Sequence, residues 1–432
     1  MDPRRVNAFD SNVNQGFEGS AQEAASLEQM GPVATGPDLT ALNSAFRDRP
    51  HEILDDLRTR EPVHKDRVFD RVVLTRAADV GAVVNDRTLS SDPRKSRLGS
   101  FARQQFRVDD SYKPTMLLMD DPDHKRLRGL VSKAFSQRSI DALRPRITDV
   151  TSRILKEIPA DQPFDLIALF ARPLPTVVIA EILGIDPSMH GEFKVWSEAQ
   201  TLMFNPVRSE HDEERLRWAV AEIDAHLLRE IASRRRRYRD DLLTFLIISE
   251  EDGEKLTEAE IVSTCRLLLA AGNITTTDLI GNGVYALLRH PDQLDVLKAN
   301  PNLYGAAIEE ILRYDSPVVQ TGRQILSPRE IGGCPVEAGQ SITALLVGAN
   351  HDPELHENPH AFDIGRTNKR HFSFGGGSHF CLGAPLARLE GQIALSMLFQ
   401  HFPALRLQSG MHQERKPTPS LSGFESLWVD PT

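Results

Sequence analysis

A glycine-rich loop that leads through a cysteine into a helix constrains this chain more than any other feature. The segment reads HFSFGGGSHFCLGAPLARLE and covers residues 371–390. Three consecutive glycines, residues 375–377, permit backbone angles that are closed to other residues, so the main chain can approach a flat partner closely. Cys381 follows, and Pro385 marks the first turn of a helix. Because a helix N-terminus favours thiolate over thiol, the segment predicts a cysteine that can ligate iron.

Two other interpretations of Cys381 compete with iron ligation. A lone cysteine is most often a buried, inert side chain. Zinc is the second alternative, because His371 and His379 stand nearby, but structural zinc uses four ligands that usually include a close CxxC pair, and the sequence contains no such pair. For Cys265 and Cys334 the inert role is the better prediction.

Composition and charge narrow the class of protein. Of the 432 residues, 40% are hydrophobic and 26% are charged, which is an ordinary globular balance. The net charge of -10 argues against nucleic acid as a partner, since such binding depends on neutralising phosphates. Three widely spaced cysteines favour a reducing compartment over a disulfide framework. Without a secretory signal or an apolar run of membrane length, we expect a soluble, cytoplasmic protein that binds no membrane.

Helical periodicity dominates the chain from about residue 39 onward. It predicts helices over residues 50–60, 122–134, 139–157, 174–184, 187–203, 208–237, 257–290, 302–314 and 384–401. Strands are predicted over residues 71–75, 341–346 and 426–429. We therefore expect a mainly α fold with a minor β part, in which a polar N-terminal arm over residues 1–40 precedes a single domain over residues 41–432.

The cysteine loop is similar to a known signature, the haem-binding motif of the cytochrome P450 family. The matching positions are Phe374, Gly375, Gly377, His379, Cys381 and Gly383. The resemblance covers roughly residues 40–430, and it implies that family's fold, with haem b (iron protoporphyrin IX) between the I helix and the cysteine-ligand loop with its L helix. It also implies that the Cys381 thiolate ligates the iron and pushes electron density onto it. Phe374 would pack near the sulfur, loop N–H groups would hydrogen-bond it, and His379 would reach a haem propionate.

Other segments match the family in the expected order along the chain. Glu310 and Arg313 resemble its ExxR pair, which supports the core beneath the haem together with a residue of the later loop, here within residues 362–366. By the same resemblance, His124 and Arg128 on the C helix bind haem propionates, and Arg323 supplies a further propionate cation. Either pair alone is a common pattern, so the resemblance depends on the order in which the motifs occur along the chain.

Residues 257–290 resemble the family's oxygen-activating I helix. Ala271 and Gly272 correspond to the small residues that leave room for oxygen beside the haem, and Thr275, followed by Thr276, corresponds to the threonine that guides O–O cleavage. The sequence departs from the motif at Ile274, where the family has an acid that relays protons, and a hydrocarbon side chain cannot do this.

Three hypotheses for proton delivery remain open. Asn273 could orient water, Asp278 could supply the acid one turn further along the helix, or water alone could carry the protons. The competing interpretation of Asp278 is a helix residue that is exposed or held in a salt bridge.

The resemblance also predicts where substrate would bind. The expected positions are Met116, Leu117, Phe204, Ala270, Val318, Val319, Gln320 and Leu421. They suggest a mostly apolar cavity, as small-molecule sites usually are, although each could equally be ordinary core.

The predicted function is that of a monooxygenase that inserts one atom of O2 into a hydrophobic small molecule. The chain shows no flavin domain and no cysteine cluster for an iron–sulfur centre, so electrons would come from a separate ferredoxin and its reductase. Five basic residues suit an acidic ferredoxin, or are ordinary surface charges: Lys125, Arg126, Lys369, Arg370 and Arg388. Two other functions stay open, namely a peroxide-using or non-oxygenating haem-thiolate enzyme and a haem-binding sensor without turnover.

Overall fold

The protein was analysed as a computed structural model that describes residues 32–109, 112–205, 208–251 and 253–432. Residues 34–432 form one compact unit. Most of the predicted N-terminal arm, residues 1–31, lies outside the described residues. Its last part, residues 34–40, belongs to the compact unit, because Leu39 is fully buried and the Thr35 hydroxyl donates to Asp66 at 2.8 Å.

The described residues contain sixteen α-helices. In chain order they are α1 Ser44–Asp48, α2 Pro50–Arg60, α3 Ala77–Asn85, α4 Phe101–Gln105, α5 Asp123–Ser132, α6 Gln137–Asp141, α7 Arg144–Glu157, α8 Pro173–Leu183, α9 His190–Gln200, α10 Glu210–Arg236, α11 Leu242–Ile248, α12 Glu258–Arg289, α13 Pro291–Ala299, α14 Tyr304–Tyr314, α15 Leu346–Asn350 and α16 Ala384–His401. Shorter 3-10 turns join several of them, and a π-helical turn, Ile167–Ala171, precedes α8.

Local signals explain where the two central helices begin. Thr257 caps α12 with a capping box, since its hydroxyl accepts from the Glu260 N–H at 3.2 Å and the Glu260 carboxylate accepts from the Thr257 N–H at 2.7 Å. Pro385 lies in the first turn of α16. Backbone N–H groups there have no partner within the helix, so the N–H that proline lacks loses no hydrogen bond.

The β part is small and split among several sheets. Its strands are β1 Val63–Asp66, β2 Arg71–Leu74, β3 Phe164–Asp165, β4 Glu250–Glu251, β5 Glu254–Lys255, β6 Gln320–Gln324, β7 Arg329–Ile331, β8 Cys334–Val336, β9 Ser341–Leu345, β10 Arg406–Leu407, β11 Glu414–Arg415, β12 Phe424–Ser426 and β13 Trp428–Asp430. The largest sheet has the order β1-β2-β9-β6, with β2 and β9 parallel and the other pairs antiparallel. A three-stranded sheet has the order β10-β13-β3.

Helix α12 runs through the middle of the core. It packs against α8, α10, α14 and α16, and it is buried on most of its circumference, as expected for a helix that is apolar nearly all round. Among the described residues, no helix combines the length and the apolar character needed to cross a bilayer. The predicted fold class, mainly α with a minor β part, is confirmed.

Candidate active site

A cavity of about 360 Å³ lies between the middle of α12 and the cysteine loop. Its walls are mostly apolar, with contributions from the segment around α4, from α8, from β6 and β9, and from the turn at residues 420–421. Cys381 and the loop before it form one side, and one face of α12 forms another. This volume and lining are typical of a site for small molecules.

The cysteine loop is held close to α3 by its glycines. Gly377 has a φ of +62°, and a Cβ at this position would lie 2.6 Å from the carbonyl oxygen of Val84. The Cys381 N–H donates to the Phe374 carbonyl at 2.9 Å, which closes the loop on itself. Only glycine combines this backbone angle with this close approach, so the sequence signal of three glycines has a local structural cause.

The Cys381 sulfur lies among hydrogen-bond donors and cations. Burial raises the pKa of the thiol, while the N–H groups of Gly383 and Ala384 and the guanidinium groups of Arg128 and Arg388 act in the opposite direction. Burial outweighs them, so proximity to the α16 N-terminus is not sufficient to ionise the cysteine. A coordinated metal cation would hold it as thiolate.

Phe374 borders the cavity, and its predicted position near the sulfur stays a prediction. The Arg388 guanidinium lies over its ring, 4.6 Å from the centroid, and Arg388 in turn pairs with Glu309 at 2.6 Å. Although burial opposes ionisation, hydrogen bonds from Arg388 and His371 lower the pKa of Glu309 to about 2. His371 thus interacts with Glu309, with its Nε2 3.2 Å from the carboxylate oxygen Oε2. The alternative in which Cys381 binds zinc therefore loses one of its candidate ligands.

Four cationic or imidazole side chains from separate elements gather at one edge of the cavity. Arg128, Arg323 and His379 line it, and the His124 ring stacks on that of His379 with centroids 4.0 Å apart. Arg323 is 6% exposed, and its hydrogen bonds go to backbone carbonyls and the Thr321 hydroxyl. Burial and the neighbouring His124, Arg323 and Arg128 lower the pKa of His379 to about 3.

This edge is built to receive anionic groups. Among the described residues, no carboxylate lies within ion-pair distance of Arg128 or Arg323, and Nε2 of His124 is buried without a partner. Arg323 is buried and Arg128 is partly buried, and a guanidinium group shielded from water without a carboxylate partner is unfavourable on its own, so the arrangement fits a ligand that carries carboxylates of its own.

One face of α12 lines the cavity. Its members are Leu267, Leu268, Ala271, Gly272, Thr275, Thr276 and Leu279, at the spacing of a single helix face. The Thr275 hydroxyl donates to the Ala271 carbonyl at 2.6 Å. Ala270 is fully buried and does not border the cavity, so nothing here supports its predicted role in the pocket.

The two polar candidates for proton delivery point away from the cavity. The Asn273 amide donates to the Ser197 hydroxyl at 2.8 Å, inside the contact between α12 and α9. Asp278 is fully buried and accepts from Lys416 Nζ at 2.6 Å. Burial outweighs the attraction of Lys416 and raises the pKa of Asp278 to about 6. The geometry favours the salt-bridge interpretation of Asp278 and engages Asn273 elsewhere.

Most of the other predicted pocket residues border the cavity. Those that do are Met116, Leu117, Phe204, Val318, Gln320 and Leu421. Val319 does not, because side chains alternate in extended backbone and its neighbours Val318 and Gln320 already face inward. Val319 instead borders a small separate cleft near His51 and Lys416, so nothing here supports its predicted role in the pocket.

Glu310 and Arg313 lie on the side of α14 away from the cavity and form a fully buried pair. Arg313 donates to the two Glu310 oxygens at 2.8 and 2.7 Å, and also to the carbonyls of Asn350, Pro359 and Ala361. Arg366, within the loop that the sequence indicated, donates to Glu310 at 3.3 Å. The pair therefore ties α14 to the long loop that leads to Cys381.

Sequence reasoning missed two polar features of the cavity. Glu390, on α16, borders it with Oε2 unpartnered, and burial raises its pKa to about 8. Gln105 and Gln320 both donate to the Ser420 hydroxyl, at 2.6 and 3.0 Å, and form a short polar strip on an otherwise apolar wall. Glu390 could have been noticed in the sequence as the last residue of the LARLE segment. The polar strip joins three segments that are distant in the sequence, so no local sequence pattern indicates it.

Known proteins show the same architecture. The chain matches the family described as Cytochrome P450 over residues 70–300 and 302–425. The cytochrome P450 monooxygenase PikC of Streptomyces venezuelae is 37% identical over 92% of this chain and 95% of its own length, and the vitamin D(3) 25-hydroxylase of Pseudonocardia autotrophica is 38% identical over 89% and 94%. The solved structure of PksS, a cytochrome P450 of the bacillaene polyketide synthase of Bacillus subtilis, has a TM-score of 0.82 and 35% identity, and covers 91% of this chain and 99% of its own.

The chain belongs to the cytochrome P450 family, which confirms the resemblance seen in the sequence. It is a haem-thiolate monooxygenase that acts on hydrophobic small molecules with O2 and an electron-transfer partner. The residues present fit the haem, since the cavity is lined by a thiol, by a helix face with small residues and by the guanidinium groups of Arg128 and Arg323, which have no carboxylate partner among the described residues.

Proposed function

We propose that this monooxygenase hydroxylates an oxygen-bearing, mostly apolar natural product of the polyketide kind, with haem b as cofactor and a ferredoxin and its reductase as electron donors. One observation supports the core of this proposal most directly. Cys381, the threonine-bearing face of α12, Arg128 and Arg323 all line the same mostly apolar cavity.

The cysteines and the cations together support haem b as the form of the cofactor. Cys381 is the one described cysteine that borders the cavity, since Cys265 is buried within α12 and Cys334 lies on β8, so no thioether attachment is available. Cys381 would ligate the iron, and His124, Arg128, Arg323 and His379 would hold the two propionates. When bound, the haem supplies the activation of O2.

The residues of α12 position the reaction and move its protons. Ala271 and Gly272 present little bulk to the cavity, and the hydroxyls of Thr275 and Thr276 are the polar groups of that helix face. Because Asn273 and Asp278 are engaged elsewhere, we infer that water beside Thr275 carries the protons, which is the third of the hypotheses left open by Ile274.

The polar strip supports an oxygen-bearing substrate. A hydroxyl or carbonyl of the substrate can exchange for one of the hydrogen bonds among Gln105, Ser420 and Gln320, while its hydrocarbon body contacts side chains such as Phe101 and Phe204. A curated relative from Bacillus subtilis, 36% identical over 89% of this chain, is described as a polyketide biosynthesis cytochrome P450, which is the precedent for this substrate class. We also propose a cytoplasmic location, as the cysteine usage predicts.

The first experiment is the absorption spectrum of the dithionite-reduced holoprotein with carbon monoxide. We expect a strongly red-shifted Soret band, which reports an axial thiolate. An unshifted band in the folded protein would remove Cys381 from the iron and contradict the assignment.

The second experiment addresses the substrate. Macrocyclic polyketide lactones and vitamin D3 are titrated against the ferric protein, and we expect the lactones to shift the spin state at lower concentration. Turnover with a ferredoxin, its reductase, NAD(P)H and labelled O2 should then place one labelled oxygen atom in the product. Product formed only with peroxide would favour the peroxide-using alternative, and binding without turnover would favour a sensor.

A further inference from the structure

Three histidines from separate elements converge on the surface beside the Glu310–Arg313 network. His51 lies in the first turn of α2, His351 directly follows α15, and His360 lies in the loop that leads to Cys381. One ring nitrogen from each lies within 4.8 Å of the others. The rings of His51 and His351 stack with centroids 3.7 Å apart, and His360 is 5.3 Å from both.

Hydrogen bonds orient two of the rings. Nε2 of His351 faces the Tyr314 carbonyl at 2.9 Å, and Nε2 of His360 faces the Asp55 carboxylate at 2.7 Å. Both partners accept only, so each Nε2 carries the hydrogen and each Nδ1 presents a lone pair. Outer partners of this kind, a carbonyl or a carboxylate behind the imidazole, are what metal-ligating histidines usually have.

The two Nδ1 atoms then face each other at 3.2 Å. Two lone pairs at this distance repel unless a cation lies between them. Nitrogen ligands lie 2.0–2.1 Å from a tetrahedral zinc ion, which places two of them about 3.3–3.4 Å apart, close to the observed separation.

His51 supplies a third nitrogen. Its Nδ1 is buried and has no hydrogen-bond partner among the described residues. The nearby positive charge of Arg313 is compensated by Glu310, and Asp55 and Asp315 add negative charge around the cluster.

We propose that His51, His351 and His360 form a zinc site, separate from the haem, with Asp55 as the outer partner of His360 and the fourth coordination position open to solvent. Imidazole is a preferred ligand of zinc, and three histidines with one open position make a known coordination set. The ion would join α2 to the loop that carries the carbonyl partners of Arg313, and so strengthen the support of the cysteine loop.

The test is equilibrium dialysis of the untagged holoprotein against zinc, combined with thermal unfolding. We expect one zinc ion per chain and a higher Tm with zinc. His360→Ala, at a side chain that is 48% exposed, should lose the zinc and the Tm increase while keeping the spectrum of the reduced carbon monoxide complex. Asp55→Asn should bind zinc about 10- to 100-fold more weakly, as expected for loss of an outer partner.

Two matched variants control for zinc on other surface groups. Asp56→Asn changes the adjacent carboxylate, which pairs with Arg60, and His412→Ala removes an exposed histidine outside the cluster. Both should bind zinc like the wild type. The proposal is overturned if the wild type binds no zinc, which would mean that a shared proton bridges His351 and His360, or if His360→Ala and Asp55→Asn bind zinc as well as the controls do.

Discussion

Asp278 and Lys416 form an ion pair inside the apolar surroundings of α12. Their side chains are 0% and 9% exposed, and their atoms lie 2.6 Å apart. The second Asp278 oxygen is buried without a partner among the described residues, and a Cβ on Gly423 would lie 2.0 Å from Oδ1, so the carboxylate occupies the space that a side chain at position 423 would need. A pair in this setting restrains its neighbours strongly, because removing either member leaves a buried charge alone.

We therefore expect Asp278→Asn to lower stability by about 3–5 kcal/mol, since Lys416 keeps its charge without a partner. The measurement is chemical denaturation of the haem-loaded protein. Asp278→Asn combined with Lys416→Met should recover much of the loss, because the second change removes the stranded charge.

The same variant tests proton delivery. If Asp278→Asn retains the Soret spectrum, the amount of product formed per NAD(P)H consumed should equal that of the wild type. The reason is that Asp278 does not face the cavity. A clear drop in that ratio would instead restore Asp278 as the acid of the relay.

Glu390 gives a prediction on pH. Burial raises its pKa from 4.5 to about 8, so between these values the unfolded chain releases a proton that the folded chain retains. The folded pKa is the higher one, so the contribution of this group to stability is greatest below about pH 4.5 and is lost as the pH rises through about 8. Glu390→Gln has no such group, so its Tm relative to the wild type should rise between pH 5 and pH 8. Parallel Tm curves for the two proteins would contradict the shifted pKa.

At the scale of elements, the cysteine loop depends on contact with α3. Gly377→Ala combines a φ of +62° with a Cβ 2.6 Å from the Val84 carbonyl, so we expect the loop to move and haem retention to fall severely. Gly410→Ala is the matched control, because Gly410 has a φ of +75° and nothing within 4 Å of its Cβ position. Haem content after gel filtration is the readout. Haem content as high in Gly377→Ala as in Gly410→Ala would show that the contact with Val84 is not needed to retain the haem.

The sequence predicted where the helices begin better than it predicted which residues of each helix face the cavity. The Thr257 capping box and Pro385 are local signals, and the structure begins both central helices where they indicate. Ala270 and Ala271 are adjacent and chemically identical, yet only Ala271 borders the cavity, and that choice depends on how α12 is rotated within the core. The partner of Asp278 could not be predicted either, because Lys416 is 138 residues away.

For the molecule as a whole, the basic surface predicted for ferredoxin is smaller than the sequence suggested. Arg126 pairs with Glu260, and Arg388 pairs with Glu309, so the structure neutralises two of its five charges. Lys125, Lys369 and Arg370 remain exposed. We keep the proposal of an acidic ferredoxin on these three residues.

The prediction is a rate of reduction by ferredoxin that falls as ionic strength rises. Lys125→Glu and Lys369→Glu should each slow reduction at low salt and weaken its salt dependence. Lys156→Glu, an exposed lysine on α7, is the control and should behave like the wild type. Reduction rates that do not respond to salt would exclude electrostatic steering.

The Asp278–Lys416 pair also has a consequence for the order of events during translation. Asp278 leaves the ribosome 138 residues before Lys416, and Leu421, which closes a wall of the cavity by bridging to Val318, is made later still. A nascent chain that has just completed α12 therefore carries an unpartnered carboxylate in a largely apolar helix and has no closed cavity. Because Cys381, Lys416 and Leu421 all follow α12 in the sequence, the walls of the cavity are complete only when synthesis is nearly finished.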